Sequence, residues 1–98
     1  MNMQQLVMQA QKMQRELKKA KDALHEKEFS LNKAGAVNLV VKGDKSIVKI
    51  DIDKDALEDK EMVEEMIVLG LNELFDKIDD EEAAIEDKLT GGKGGFGF

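Results

Sequence analysis

Residues 3–27, MQQLVMQAQKMQRELKKAKDALHEK, show the clearest periodic pattern in the sequence. No Gly or Pro interrupts it, and its apolar or small residues are spaced alternately three and four apart. These residues are Met3, Leu6, Ala10, Met13, Leu17, Ala20 and Leu24. The spacing is the heptad pattern of a helix with one narrow apolar seam. At about 1.5 Å per residue the helix is roughly 37 Å long, so we expect part of it to project from so short a chain.

From residue 28 the apolar pattern changes to a period of two, which is typical of strands. Strands are predicted over about 28–33, 37–42 and 46–53. Short breaks that contain Gly35 and Gly43 separate them. β-branched residues dominate the second and third strands, and Val48, Ile50 and Ile52 are expected on one face. The pattern predicts a three-stranded antiparallel meander with one buried face.

A second helix is predicted over about 60–78, with Asp59 as its N-terminal cap. Its apolar residues cover more than half of the helix circumference. They are Met62, Val63, Met66, Ile67, Val68, Leu69, Leu71, Leu74 and Phe75. One sheet face cannot bury a helix that is apolar on most sides, so other structure must cover the rest. In a chain of 98 residues we expect a second subunit to do so, which predicts a homodimer.

Residues 1–89 are therefore expected to form a single α+β domain, with a long N-terminal helix, a three-stranded antiparallel meander and a C-terminal helix. Residues 79–89 are compatible with a further short acidic helix. Residues 90–98 contain five Gly among the eight residues that follow Thr90. This composition predicts a flexible Gly-rich tail.

Composition restricts the classes of function. The chain has no Cys, its N-terminus lacks the pattern of a signal peptide, and no apolar run approaches the roughly 18 residues of a membrane span. We therefore expect a cytoplasmic protein that does not contact membranes. His25 is the only histidine, so zinc chemistry and catalytic triads lack partner residues. The sequence predicts no enzyme activity, no metal and no cofactor.

Two stretches resemble known ligand-binding motifs but lack the neighbouring residues that those motifs require. Residues 92–97 have the glycine spacing of a dinucleotide-binding loop, but no helix follows to present its N-terminus to a phosphate. Asp51, Asp53 and Asp55 resemble the start of a calcium loop. That loop requires Gly and Glu where this chain has Ala56 and Met62. The alternating acids are better explained as the solvent face of a strand.

Charge is distributed unevenly along the chain. The net charge is −6, yet residues 1–27 hold six basic and three acidic side chains, a net +3. Lys12, Arg15 and Lys19 share the face opposite the apolar seam, with Lys18 beside them. One interpretation is a solvated face with local pairs such as Lys18–Asp22. The other is a surface that contacts nucleic-acid phosphates, doubled in a dimer.

The order of these parts resembles the YbaB/EbfC family of bacterial nucleoid-associated proteins. The residues that carry the resemblance are Met8-Gln-Ala-Gln-Lys-Met13-Gln, Val37-Asn-Leu-Val-Val-Lys-Gly43, Ser46-Ile-Val-Lys-Ile-Asp-Ile52, Asp59-Lys-Glu-Met62, Asn72 and the Gly/Phe-rich end. They span essentially the whole chain. One departure is Gly70, where the family usually has Ala, which should loosen the second helix by up to about 1 kcal/mol.

The resemblance implies a tweezer-shaped homodimer in the nucleoid that grips duplex DNA with projecting helices. The DNA contacts are expected at Lys12, Arg15, Lys18, Lys19 and Lys21. Because few contacts beyond phosphate are available, we expect weak sequence discrimination. The residues expected in the dimer contact or the core are Leu6, Met13, Leu17, Leu24, Met62, Met66, Leu69 and Leu74. The alternative hypothesis is a protein-interaction module that docks a partner in DNA repair or replication.

Overall fold

The predicted order of a helix, three antiparallel strands and a helix is confirmed in a computed structural model, which describes residues 2–89. The helices are α1 (Met3–Glu26) and α2 (Lys60–Leu89), and the strands are β1 (Glu28–Lys33), β2 (Val37–Lys42) and β3 (Ile47–Ile52). A short 3-10 helix, Lys54–Glu58, connects β3 to α2. The predicted Gly-rich tail lies outside the described residues.

The three strands form an antiparallel sheet in the order β1-β2-β3. Ile50 lies opposite Leu39, but the register shifts between Val40 and Val41, and Ile47 then lies opposite Val41. Such a bulge inserts an extra residue, here Val48, into one strand. The regular alternation expected for Val48, Ile50 and Ile52 is therefore interrupted, because Ile47 rather than Val48 lies opposite Val41.

The core lies between α2 and the face of β1 and β2. Its buried apolar residues are Leu24, Phe29, Ala36, Val37, Leu39, Val41, Val63, Leu74 and Ile78. α2 packs on β1 and β2 and leaves much of the same face of β3 uncovered. Ile47 and Ile50 consequently remain 49% and 42% exposed. Residues 2–89 thus cover only part of the sheet.

α2 is longer than the sequence indicated, because it continues without a break from residue 78 to Leu89. Asp59 caps its start, as predicted, by accepting a hydrogen bond from the Met62 N–H at 3.2 Å. Neither Gly nor Pro interrupts the last eleven residues, 79–89. Their acidic side chains pair with lysines elsewhere in the fold. The pairs are Lys45–Asp79 at 2.7 Å, Lys27–Glu81 at 2.9 Å and Lys21–Glu86 at 2.7 Å. These tertiary contacts stabilise the helical conformation of residues 79–89, whose sequence alone did not predict that α2 continues through them.

Two glycines allow close approaches around the core. Gly43 is buried, and a Cβ there would overlap the backbone carbonyl of Leu24 at the end of α1. Its N–H donates to the Lys27 carbonyl at 2.9 Å, which ties the β2–β3 turn to α1. Gly70 is buried against the side chain of Leu39. The glycine that local propensity marks as a weakness thus makes room for a core leucine.

We expect Gly43→Ala to lower the free energy of unfolding by about 3 kcal/mol, because the new Cβ meets backbone that cannot move without opening the junction with α1. Chemical denaturation at fixed chain concentration measures the change. Gly35→Ala is the matched control. A Cβ there meets nothing within 4 Å, so only its φ of +69° opposes the change, at about 1–2 kcal/mol. Equal losses at the two positions would contradict the close approach.

Candidate nucleic-acid interface

The projecting part of α1 provides the candidate site. Lys27–Glu81 and Lys21–Glu86 pair in opposite chain order, so the C-terminal half of α1 runs antiparallel to the end of α2. Glu86 lies one helical turn from the end of α2 at Leu89. α1 continues in the same direction as far as Met3, so roughly 20 Å of helix extends past α2. Residues 3–16 are exposed throughout.

Three cations in this region or at its border have no ion-pair partner within residues 2–89. They are Lys12, Arg15 and Lys19, and all are exposed. Their spacing places them on one side of α1, away from the side on which Leu24 is buried. Glu16 is the only acidic residue between positions 3 and 19. The projecting helix therefore presents a concentrated and unneutralised positive charge.

The other two predicted DNA contacts, Lys18 and Lys21, are engaged in ion pairs. Lys18 bonds Asp22 at 2.7 Å, and this hydrogen bond lowers the pKa of the Asp22 carboxyl below its ordinary value. Lys21 is half-buried and bonds Glu86 at 2.7 Å. That hydrogen bond, together with the negative charges of Glu86 and Glu82, raises the pKa of Lys21. The structure thus places Lys21 in the contact between α1 and α2.

The predicted dimer and core residues fall into three groups. Leu24 and Leu74 are buried, and Leu17, Met62 and Met66 are half-buried. Leu6, Met13 and Leu69 remain 45%, 41% and 43% exposed. The apolar seam of α1 therefore packs only at its C-terminal end. Its N-terminal part makes no core contact within the described chain.

Apolar side chains on three elements remain exposed, and we refer to them together as the exposed apolar surface. It comprises Ile47 and Ile50 on β3, Leu57 in the 3-10 helix, and Val68 and Leu69 on α2. Leu57 is 60% exposed and Val68 is 58% exposed. The sequence feature that could have identified Leu57 is its position among charged residues in a connector. A leucine exposed to solvent there does not stabilise the connector itself.

The described residues offer little else for chemistry. No group of three or more His, Cys, Asp or Glu within them could hold a metal ion. None of the helices over residues 2–89 is long and apolar enough to cross a membrane. A shallow groove on α1 is lined by Met8, Gln9, Gln11, Lys12 and Arg15. Amide and cationic groups of this kind are donors suited to phosphate and sugar oxygens.

Comparison with known proteins places this arrangement in a family. The chain is 37% identical over 95 residues to a nucleoid-associated protein of Mycoplasmopsis pulmonis, covering 95% of this chain and 94% of the relative. It is 39% identical over 95 residues to a nucleoid-associated protein of Clostridium novyi, covering 94% and 83%. The crystal structure of an uncharacterized protein from Helicobacter pylori has a similar fold, with a TM-score of 0.73 and 21% identity. That match covers 87% of this chain and 92% of the other.

The family model described as the YbaB/EbfC DNA-binding family matches residues 1–93, nearly the whole chain. This description is of a DNA-binding family rather than of an enzyme family. The match and the relatives together show that this chain belongs to the YbaB/EbfC DNA-binding family.

Proposed function

We propose that this protein is a nucleoid-associated homodimer that binds duplex DNA through phosphate contacts from its two projecting α1 helices. The observation that carries the proposal is the unpaired set Lys12, Arg15 and Lys19 on one exposed side of α1, of which Lys12 and Arg15 lie on the part that extends past α2. The family's description as DNA-binding and the relatives' names as nucleoid-associated proteins support it. Binding of this kind neutralises phosphates, so it weakens steeply as salt rises.

The chemistry of α1 favours contact with the sugar-phosphate backbone over reading of the bases. Lysine and arginine on one side of a helix can follow a phosphate strand, and the amides of Gln9 and Gln11 add neutral donors beside them. The chain has no Tyr or Trp, so it lacks the usual aromatic platform for stacking single-stranded bases. We therefore expect duplex binding with weak sequence discrimination.

The exposed apolar surface supports the homodimer. Val68 and Leu69 lie on α2, which has more apolar circumference than its own β1 and β2 cover. Ile47 and Ile50 lie on the part of the sheet that α2 leaves open. In the proposed two-fold arrangement, the exposed apolar residues of α2 in each chain pack against the open sheet face of the other, so that both are buried at once. The dimer then presents two sets of cations, one on each α1 helix. We call residues 3–19 of α1 the arm.

A second candidate function is docking of a partner protein on α1. The apolar seam at the N-terminal end of this helix supports it, since Met3 and Leu6 are 74% and 45% exposed. An amphipathic helix of a DNA repair or replication protein is the kind of partner that fits such a seam. The basic side of the helix would remain free for DNA in that case.

We expect the triple variant Lys12→Glu, Arg15→Glu and Lys19→Glu to bind duplex DNA about 100-fold more weakly in a gel shift, because each dimer loses six phosphate contacts. The plot of log K against log salt should also become much shallower. Light scattering should report an unchanged mass, because these side chains lie away from the exposed apolar surface.

The matched control reverses three exposed lysines outside the arm, Lys54, Lys60 and Lys88, and so carries the same change in net charge. This control should lose far less affinity than the arm variant. Equal losses would mean that net charge alone governs binding. Unchanged binding by the arm variant would contradict the assignment to α1.

Replacing Val68 and Leu69 together by Asp should convert the dimer to a monomer. In the single chain both side chains are exposed, so the protomer core is left intact, whereas in the dimer two charges would be buried without partners. Light scattering should report a mass near the 11.0 kDa of one chain. Val7→Asp, at a position 51% exposed on α1, is the control and should stay dimeric. A double variant that remains dimeric would show that the subunits meet elsewhere.

A further inference from the structure

Within residues 2–89, β3 lies at an edge of the sheet, with β2 on one side and no strand on the other. The Asp53 N–H donates to the Ala36 carbonyl at 2.8 Å. Hydrogen-bonding direction alternates along an antiparallel strand, so Asp51 and Lys49 also direct their backbone groups toward β2. The N–H and C=O of Ile50 and Ile52 therefore point away from β2, to the open edge. These groups are positioned to bind another strand.

The outer face of β3 carries one charge of each sign. Lys49 and Asp51 both lie on the face opposite α2, two positions apart, and neither makes an ion pair within residues 2–89. A lysine and a bulge on an edge strand are features that discourage indiscriminate pairing with other strands. An incoming strand must therefore supply a negative charge opposite Lys49 and a positive charge opposite Asp51. β3 of a second copy, running antiparallel, carries both.

We propose that β3 pairs antiparallel with β3 of a second copy, with Ile50 opposite Ile50 of that copy. In this register the two Ile50 residues exchange both of their backbone hydrogen bonds. Lys49 then lies directly opposite Asp51 of the second copy, and the reverse pair forms across the two-fold axis. Cross-strand pairs of opposite charge stabilise a sheet, whereas like charges directly opposite each other destabilise it.

The same charges exclude the neighbouring symmetric registers. Centring the pair on Lys49 places two lysines opposite each other, and centring it on Asp51 places two carboxylates opposite each other. Only the register centred on Ile50 pairs unlike charges and also uses the free backbone groups of the edge. The charges of β3 therefore favour pairing with another copy of β3, in the register centred on Ile50.

This contact is separate from the face-to-face dimer of the proposed function, because it uses the strand edge rather than the apolar surface. Each homodimer has two such edges, so edge pairing links dimers into chains. A contact of a few residues per strand is weak in dilute solution but is strengthened when DNA holds dimers close together. The role on DNA rests on the proposed function, whereas the pairing itself is testable without DNA.

Disulfide trapping tests the register, because the chain has no Cys of its own. Lys49→Cys and Asp51→Cys dimers are prepared separately, mixed at high concentration and oxidised. Lys49 and Asp51 of the second copy form a pair without mutual backbone hydrogen bonds. The Cα atoms of such a pair are about 4.5 Å apart, which is within disulfide range. Two copies of the same position are offset by two residues, about 7 Å along the strands, so their Cα atoms are about 8 Å apart, which is too far for a disulfide. The mixture should cross-link, and each variant alone should not.

Lys88→Cys, exposed at the end of α2, is the control for random collision. Cross-linking of the mixture no greater than this control would overturn the pairing. Cross-linking by one variant alone, at least equal to the mixture, would overturn the register. Failure of the wild-type protein to bind DNA would refute the proposed function and leave the cross-linking result standing.

Charge reversal gives an independent measurement. Lys49→Asp or Asp51→Lys alone should weaken the concentration-dependent growth in mass beyond the dimer at least fivefold. The double reversal, Lys49→Asp with Asp51→Lys, should restore it to within about twofold, because the pairs form again with their signs exchanged. A double variant as weak as the single ones would contradict the pairing, since general disruption of the strand is not rescued by a second change.

Discussion

The antiparallel contact between the base of α1 and the end of α2 determines how the whole molecule presents its charge. Leu24 is buried there, and Lys21 and Lys27 bind acidic side chains of α2. Because α2 ends close to this contact, the rest of α1 has no neighbour within the described chain. The contact therefore sets the direction in which α1 extends from the sheet and α2, which we call the body. This direction determines where the unpaired cations of α1 lie.

The same contact explains how a chain of net charge −6 can carry a surface for DNA. Acidic residues are concentrated on α2, and several of them neutralise lysines at the base of α1 and in the loops. Lys12 and Arg15 lie beyond the reach of these acids and keep their full charge. A positive arm on an acidic body confines attraction to the arm, and repulsion between the body and phosphates limits contact elsewhere.

Local pattern predicted most of the fold, since the three-and-four spacing of α1 and the alternation of the strands are periodic signals. The sequence analysis failed where contacts distant in sequence decide the outcome. The end of α2 depends on lysines more than 30 residues away, so its acidic composition suggested a separate short helix. Gly70 was interpreted from helix propensity, although its packing against Leu39 decides its role. The sequence does not distinguish Lys21 from Lys19. In the fold, Glu86 of α2 lies beside Lys21, whereas Lys19 makes no ion pair within residues 2–89.

Contact between DNA and the unpaired cations of α1 can be observed residue by residue. The measurement is of amide chemical shifts of the labelled wild-type protein, titrated with a short duplex at low salt. We expect changes concentrated in residues 8–19, on the side that carries Lys12, Arg15 and Lys19, with little change along α2. Changes concentrated on α2 or the sheet, with α1 unaffected, would contradict this contact.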